Sequence, residues 1–404
     1  MTSTAAPTSP ANLLRKKGGS HRVTNIELFF DLVFVFAVTQ LSHSLLGHLS
    51  VEGGLQTVLL LAMVWLLWVY TTWVTNWLDP ERLPVRLLLL GLMLVSLVLS
   101  AALPNAFAQA GLVVGAAYAV MQVGRSAFAV AGLRSDRLQR NYERILVWSV
   151  ASGIIAILGG LAQERARELL WLLAVAVDLL GGAVGFYTPG LGRSTTADWT
   201  INGNHFAERC QAFLLIALGE SVVVIGATLS GLSHIAAAEV GACLVAFLGA
   251  AAFWWIYFDR SAEAGMELVA HSDDPGRLGR SAYHFIHPIM VAGIIVTAAA
   301  DELVLSHPSH LADTATTALT LGGTALFLAG HAAFKAIVWR TTPWSRLGAI
   351  GVLAVMLPAA GHVSALALGG AVAALVLLVA AGDRLAGRQG RTRSDRRPGD
   401  AGAI

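Results

Sequence analysis

Charged side chains interrupt stretches of this sequence that are otherwise almost wholly apolar, and each interruption could carry proton or ion chemistry. Glu27 and Asp31 stand four residues apart, so they share one face of a helix. Glu208 and Arg209 adjoin, and Glu220 follows within Leu218-Gly219-Glu220-Ser221, about 18 Å further along a helix axis. Asp178 breaks the run from Leu172 to Leu180, with Gly181-Gly182 beside it. An ionisable group at the centre of a bilayer costs about 3 kcal/mol or more, so groups at this depth need a partner or a wet cavity. Asp31, Asp178 and Glu220 therefore read as groups that exchange a proton or hold an ion. Glu27, Glu208 and Arg209 read as a gate beside them.

Each has a plainer alternative. Thr24-Asn25-Ile26-Glu27 is a capping box, in which Glu27 returns to the Thr24 backbone N–H. Glu208 and Arg209 suit an interfacial pair at a helix start, where the macrodipole favours the acid. Asp178 could sit in a fixed ion pair with Arg125 or Lys335, and Glu220 in a buried structural hydrogen bond. Asp301-Glu302 lies near the end of an apolar run, where solvation is the simpler account. Lys335 can snorkel to the interface. Arg125, His284, His287 and His331 are secondary candidates, the histidines as groups that titrate between pH 5 and 8. His284 and His287 repeat the spacing of His307 and His310. The two pairs fall at opposite ends of their helix, and no HExxH or cysteine motif accompanies them, so no metal site is expected. The tryptophans from Trp65 to Trp77, with Trp254 and Trp255, read as an aromatic belt.

These residues must be positioned by apolar helices. The 404 residues are 56% hydrophobic and 13% charged, with mean hydropathy +0.66 and net charge +2, against about 25% charge in soluble chains. Soluble enzymes, nucleic-acid binders and disulfide scaffolds are excluded, and Cys210 and Cys243 both lie in apolar runs. The expected fold is all-α, a polytopic bundle of about twelve transmembrane helices near 26–46, 55–77, 86–103, 107–131, 145–162, 169–187, 206–227, 239–258, 283–304, 317–339, 345–361 and 364–382. Of the 27 Lys/Arg residues, all but five fall in the tails and in alternate loops on one side. Arg165 and Arg167 lie opposite, and Arg125, Arg209 and Lys335 lie inside spans. The positive-inside rule then puts both termini in the cytoplasm. The basic, Gly- and Asp-containing stretch 383–404 and the segment 1–22 are expected to be disordered cytoplasmic tails.

Local matches suggest two parallel halves of six helices, 23–187 and 206–382, joined by a cytoplasmic linker at 188–205. Glu27 and Glu208 each open a half. Trp68-Val69-Tyr70 resembles Trp255-Ile256-Tyr257, and Gly124-Arg125-Ser126-Ala127-Phe128 resembles Gly330-His331-Ala332-Ala333-Phe334. In a parallel repeat, functional sites lie where the halves meet near mid-bilayer.

Val23-Thr24-Asn25-Ile26-Glu27-Leu28-Phe29-Phe30-Asp31-Leu32-Val33-Phe34-Val35, together with Glu208-Arg209 and Leu218-Gly219-Glu220-Ser221, resembles the bacterial low temperature requirement protein A family. The resemblance covers roughly residues 22 to 382. It implies a multi-pass protein of the bacterial inner membrane linked to growth in the cold, and it marks Glu27, Asp31, Glu208, Arg209 and Glu220 as motif positions. It supplies no reaction, substrate or cofactor.

The residues point to a secondary transporter coupled to protons or small cations, moving an unidentified small solute, with membrane lipid as surroundings and no nucleic-acid partner. No catalytic residue, cofactor or metal is expected. Two readings compete with this: an intramembrane enzyme acting on lipid or lipid-linked substrates, and a sensor or scaffold whose buried charges specify helix packing.

Overall fold

The computed structural model describes residues 13–15, 22–133, 136–195, 198, 201–232, 236–259 and 261–394. Among them the chain is helical, with isolated bridges and no strands. The helices are α1 (Asn25–Gly47), α2 (Val51–Trp77), α3 (Leu83–Ala102), α4 (Gly111–Gly132), α5 (Asp136–Leu161), α6 (Glu164–Ala183), α7 (Gly203–Gly231), α8 (Ala237–Phe258), α9 (Ser261–Ala270), α10 (Pro275–Leu278), α11 (His287–Ser306), α12 (Thr314–Trp339), α13 (Trp344–Ala360) and α14 (Ala365–Ser394). Ten helical stretches among the described residues are long and apolar enough to cross a membrane. The two further spans expected from sequence correspond to α6, whose first turns are charged, and α13, which has 17 residues; both are helical but fall outside those ten. The chain is a multi-pass membrane protein.

Local chemistry sets the boundaries. Ser50 caps α2 by accepting from the Gly53 N–H at 3.0 Å, and Asp313 caps α12 by accepting from Thr316 at 2.7 Å. Proline opens α3 and α11, where its missing N–H costs nothing. Glu27 accepts from the Thr24 backbone N–H at 3.0 Å, as the capping pattern predicts.

Two boundaries differ from the sequence expectation. The loop expected at 259–282 contains α9, α10 and the start of a π-helical turn, Gly279–His284. The tail expected to be disordered from 383 continues α14 to Ser394, and Asp383 pairs with the buried Arg346. In the N-terminal tail Leu14 bridges Leu78, and the Arg15 N–H donates to the Trp77 carbonyl at 2.8 Å. The rest of that tail, and the tail beyond Ser394, lie outside the described residues.

The helices group into two compact units. The first comprises residues up to Phe213 together with Val269–Arg280; the second comprises Leu214–Leu268 and the chain from Ser281. In the first, α4 packs on α5, α5 on α6, and α1 and α4 on α3. A Cβ at Gly160 would stand 2.6 Å from the Gly111 carbonyl, so only glycine admits the close α4–α5 approach. The most enclosed span is α2, which carries Trp65, Trp68, Tyr70, Thr71, Thr75 and Asn76 into the interior. In the second unit α11 packs on α12, α8 on α14, and α12 and α14 on α13.

Candidate functional site

The first unit contains two buried polar clusters. The first forms where α1 and α2 meet the start of α7. Asp31 is 2% exposed. Its Oδ1 accepts from Trp68 Nε1 at 2.7 Å and from Arg209 Nη2 at 2.6 Å, while Oδ2 accepts from Arg209 Nε at 3.1 Å. The guanidinium thus grips the carboxylate with two nitrogens, the geometry that distinguishes Arg from Lys. Arg209 also lies over the Trp68 ring, 5.7 Å from its centroid.

One turn earlier, Glu27 Oε1 accepts from Arg209 Nη1 at 3.1 Å and from His205 Nε2 at 2.9 Å. Its other oxygen accepts from Arg15 at 3.0 Å. The Asn76 amide N–H faces His205 Nδ1 at 3.2 Å and donates to the Asn202 carbonyl at 3.0 Å. His205 Nε2 also lies 3.0 Å from Arg15 Nη2, so the ring sits between Glu27 and Arg15. Two carboxylates then face two guanidinium groups, so the cluster balances its charge within itself.

The second cluster surrounds Asp178 of α6, which is 3% exposed. Tyr118 of α4 donates to Asp178 Oδ2 at 2.5 Å, and Gln122 Nε2 donates to the same oxygen at 2.7 Å. The Tyr70 hydroxyl donates to the Asp178 backbone carbonyl at 3.0 Å, and Ser152 of α5, close to the carboxyl group, donates to the Ser149 carbonyl at 3.2 Å. All the side-chain donors are neutral. Asp178 makes no ion pair among the described residues. The Gln122 amide stands between it and Arg125: its oxygen accepts from Arg125 while its nitrogen serves Asp178. Arg125 further donates to the Leu67 carbonyl at 3.1 Å and to Thr71 Oγ1 at 3.2 Å, and lies over the Tyr70 ring. The direct Arg125–Asp178 pair considered from sequence is therefore replaced by a chain through Gln122.

The two clusters use different residues of α2: Trp68 and Thr75 meet Asp31 and Arg209, while Tyr70 meets the Asp178 backbone carbonyl and Leu67 and Thr71 meet Arg125. Asp31 and Asp178 are not brought together. Glu208 is exposed and, among the described residues, accepts from the Val23 N–H at 3.4 Å, outside the cluster that holds Arg209. Glu220 is fully buried and belongs to the second unit, with Arg209 in the first.

The second unit holds the histidines. Arg346 Nε donates to His331 Nδ1 at 3.2 Å, and His331 Nε2 lies 3.1 Å from Ser261 Oγ. His287 Nε2 lies 2.7 Å from the Tyr257 hydroxyl, its Nδ1 lies 3.3 Å from the Ala282 carbonyl, and Tyr283 stacks on its ring. His284 is buried in the π-helical turn against Phe285.

Sequence reasoning did not find Arg15, His205, Trp68, Tyr118, Gln122 or Arg346. Trp68 is a correction: it is fully buried and serves a carboxylate instead of a membrane-surface belt. Tyr118, Gln122 and Arg125 had a detectable sign, since spacings of four and three put them on one face of α4.

An all-helical bundle with compensated and uncompensated buried acids defines a polytopic membrane protein with a polar interior. Residues 22–381 match the family described as Bacterial low temperature requirement A protein, and the chain belongs to that family. It is 36% identical over 357 residues to an uncharacterized protein of Rhizobium meliloti (strain 1021), covering 88% of this chain and 87% of the relative. No solved structure matches it.

Proposed function

We propose that the protein is a proton- or cation-coupled secondary transporter of a small solute in the bacterial inner membrane, with both termini cytoplasmic. In this reading Asp178 takes up and releases the coupling proton. The Glu27–Asp31–Arg209 cluster is the fixed anchor that joins α1, α2 and α7. The observation that carries the reading is the Asp178 carboxyl, buried among neutral donors that reach through Gln122 to a buried guanidinium. A carboxylate without a salt-bridge partner gains from accepting a proton in a low-dielectric interior, and intramembrane acids of this kind mark proton relays.

A parallel duplication fits the same reading. Arg125 lies over Tyr70 of the Trp-Val-Tyr motif, 5.4 Å from its centroid, and His331 packs on Tyr257 of the matching Trp-Ile-Tyr motif at 6.3 Å. The two pairs come from corresponding helices of the suggested halves.

The test uses proteoliposomes containing a lumenal pH dye and a panel of amino acids, monocarboxylates, polyamines and monovalent salts. At least one solute should move protons in the wild type, and Asp178→Asn should abolish that movement. Solute-evoked proton movement that survives Asp178→Asn would remove Asp178 from the mechanism. A second reading, a sensor or scaffold, draws support from the saturated hydrogen bonding of Asp31. It wins if no solute moves protons and the Asp178→Asn chain keeps its activity in cold growth.

A further inference from the structure

Asp301, whose place in the sequence points to simple solvation, lines a small cavity of about 30 Å³ in the second unit. The cavity lies among α8, α11, α12 and α14, and its volume suits roughly one or two water-sized occupants. One side is apolar, formed by residues such as Ala242, Ala246 and Val376. The other side carries oxygen: Thr297 and Asp301 from α11, and Thr320 and Thr324 from α12. Each pair is spaced by four residues, so both helices present two oxygen-bearing side chains on one face. A Cβ at Gly323 would stand 2.7 Å from the Thr297 backbone nitrogen, so glycine there permits the close helix approach beside the cavity.

Two of these groups lack protein partners among the described residues, Asp301 half-buried and Thr320 buried. The Asp301 carboxylate makes no hydrogen bond or ion pair among the described residues. Thr320 is 6% exposed, and its hydroxyl has no hydrogen-bond partner among them. Thr297 donates to the Gly293 carbonyl at 2.9 Å, which leaves its oxygen lone pairs available. Buried polar atoms are almost always satisfied by protein, water or an ion, so the orphan Thr320 hydroxyl beside an unpaired carboxylate at one cavity indicates an occupant.

We propose that Asp301, Thr297, Thr320 and Thr324 form a binding site for one small monovalent cation. Hard oxygen donors select alkali or ammonium-type ions over soft metals. A single carboxylate balances a single positive charge, whereas calcium sites gather several carboxylates and carbonyls. The site stands independently of proton uptake at Asp178, which belongs to the other unit.

The experiment measures thermal unfolding of the purified full-length chain in detergent, in sodium chloride against N-methyl-D-glucamine chloride at equal ionic strength. Sodium should raise Tm in a concentration-dependent, saturable way, because a ligand that binds only the folded state stabilises it by mass action. Asp301→Asn should abolish the sodium-dependent shift. Thr320→Val should move it to higher sodium concentration, and Thr320→Ser, which keeps the oxygen, should preserve it. Asp178→Asn should leave it intact, so failure here and failure of the transport reading are separable. Equal Tm in the two salts for the wild type, or an undiminished sodium shift in Asp301→Asn, would overturn the proposal.

Discussion

Asp31 and Asp178 are buried to nearly the same extent, 2% and 3% exposed, yet they keep different company. Asp31 faces a bidentate guanidinium and an indole N–H, and its neighbour Glu27 is balanced by Arg15 and the same Arg209. Asp178 faces a phenol and an amide. Burial alone does not say what an intramembrane acid does; the charge of its donors does. A carboxylate locked to Arg209 has nothing to gain from a proton and much to lose in helix packing. One held by neutral donors can change its protonation and keep its neighbours, since Tyr118 can donate or accept.

The comparison can be broken by removing donors one at a time. Arg209→Met leaves two buried carboxylates short of their common cation and should cost about 3–5 kcal/mol, seen as loss of folded protein or a large drop in Tm in detergent. Arg209→Lys should recover only part of this, because an ammonium cannot make the two-nitrogen grip. Trp68→Phe removes one N–H to a charged acceptor and should cost about 1.5–3 kcal/mol by the same measurement, with any solute-evoked proton movement retained.

Asp178→Asn sharpens the contrast from the other side. It keeps an acceptor for Tyr118 or Gln122, so its stability cost should be about 1 kcal/mol, while proton movement disappears. If Asp178→Asn destabilised the chain as much as Arg209→Met, the distinction between anchor and relay would fail. The smallest effect is expected at Arg15→Ala, about 1 kcal/mol or less, because that side chain retains some solvent contact and Glu27 keeps Arg209.

The buried acids were legible because a charge within an apolar helix is conspicuous, and the span pattern followed from apolar runs and loop charge. Their partners were harder to see for physical reasons. Tyr118, Gln122 and Trp68 are neutral, and such letters are ordinary in membrane helices until the fold aims them at a carboxylate. Arg15 and His205 lie in polar segments where charge and imidazole need no explanation. Whether Asp31 and Asp178 share partners depends on side-chain direction across helices, which spacing within one helix does not supply; they take different donors. Helices α9 and α10, and the continuation of α14, were missed because apolar periodicity weakens in segments rich in charge and glycine.

The most direct test of the anchor and relay assignment is infrared difference spectroscopy of the reconstituted protein across a pH titration, following the protonated-carboxyl stretch. A band that grows on acidification, vanishes in Asp178→Asn and persists in Trp68→Phe is the predicted result. The same band remaining in Asp178→Asn, or disappearing when only the Asp31 donor is removed, would contradict it.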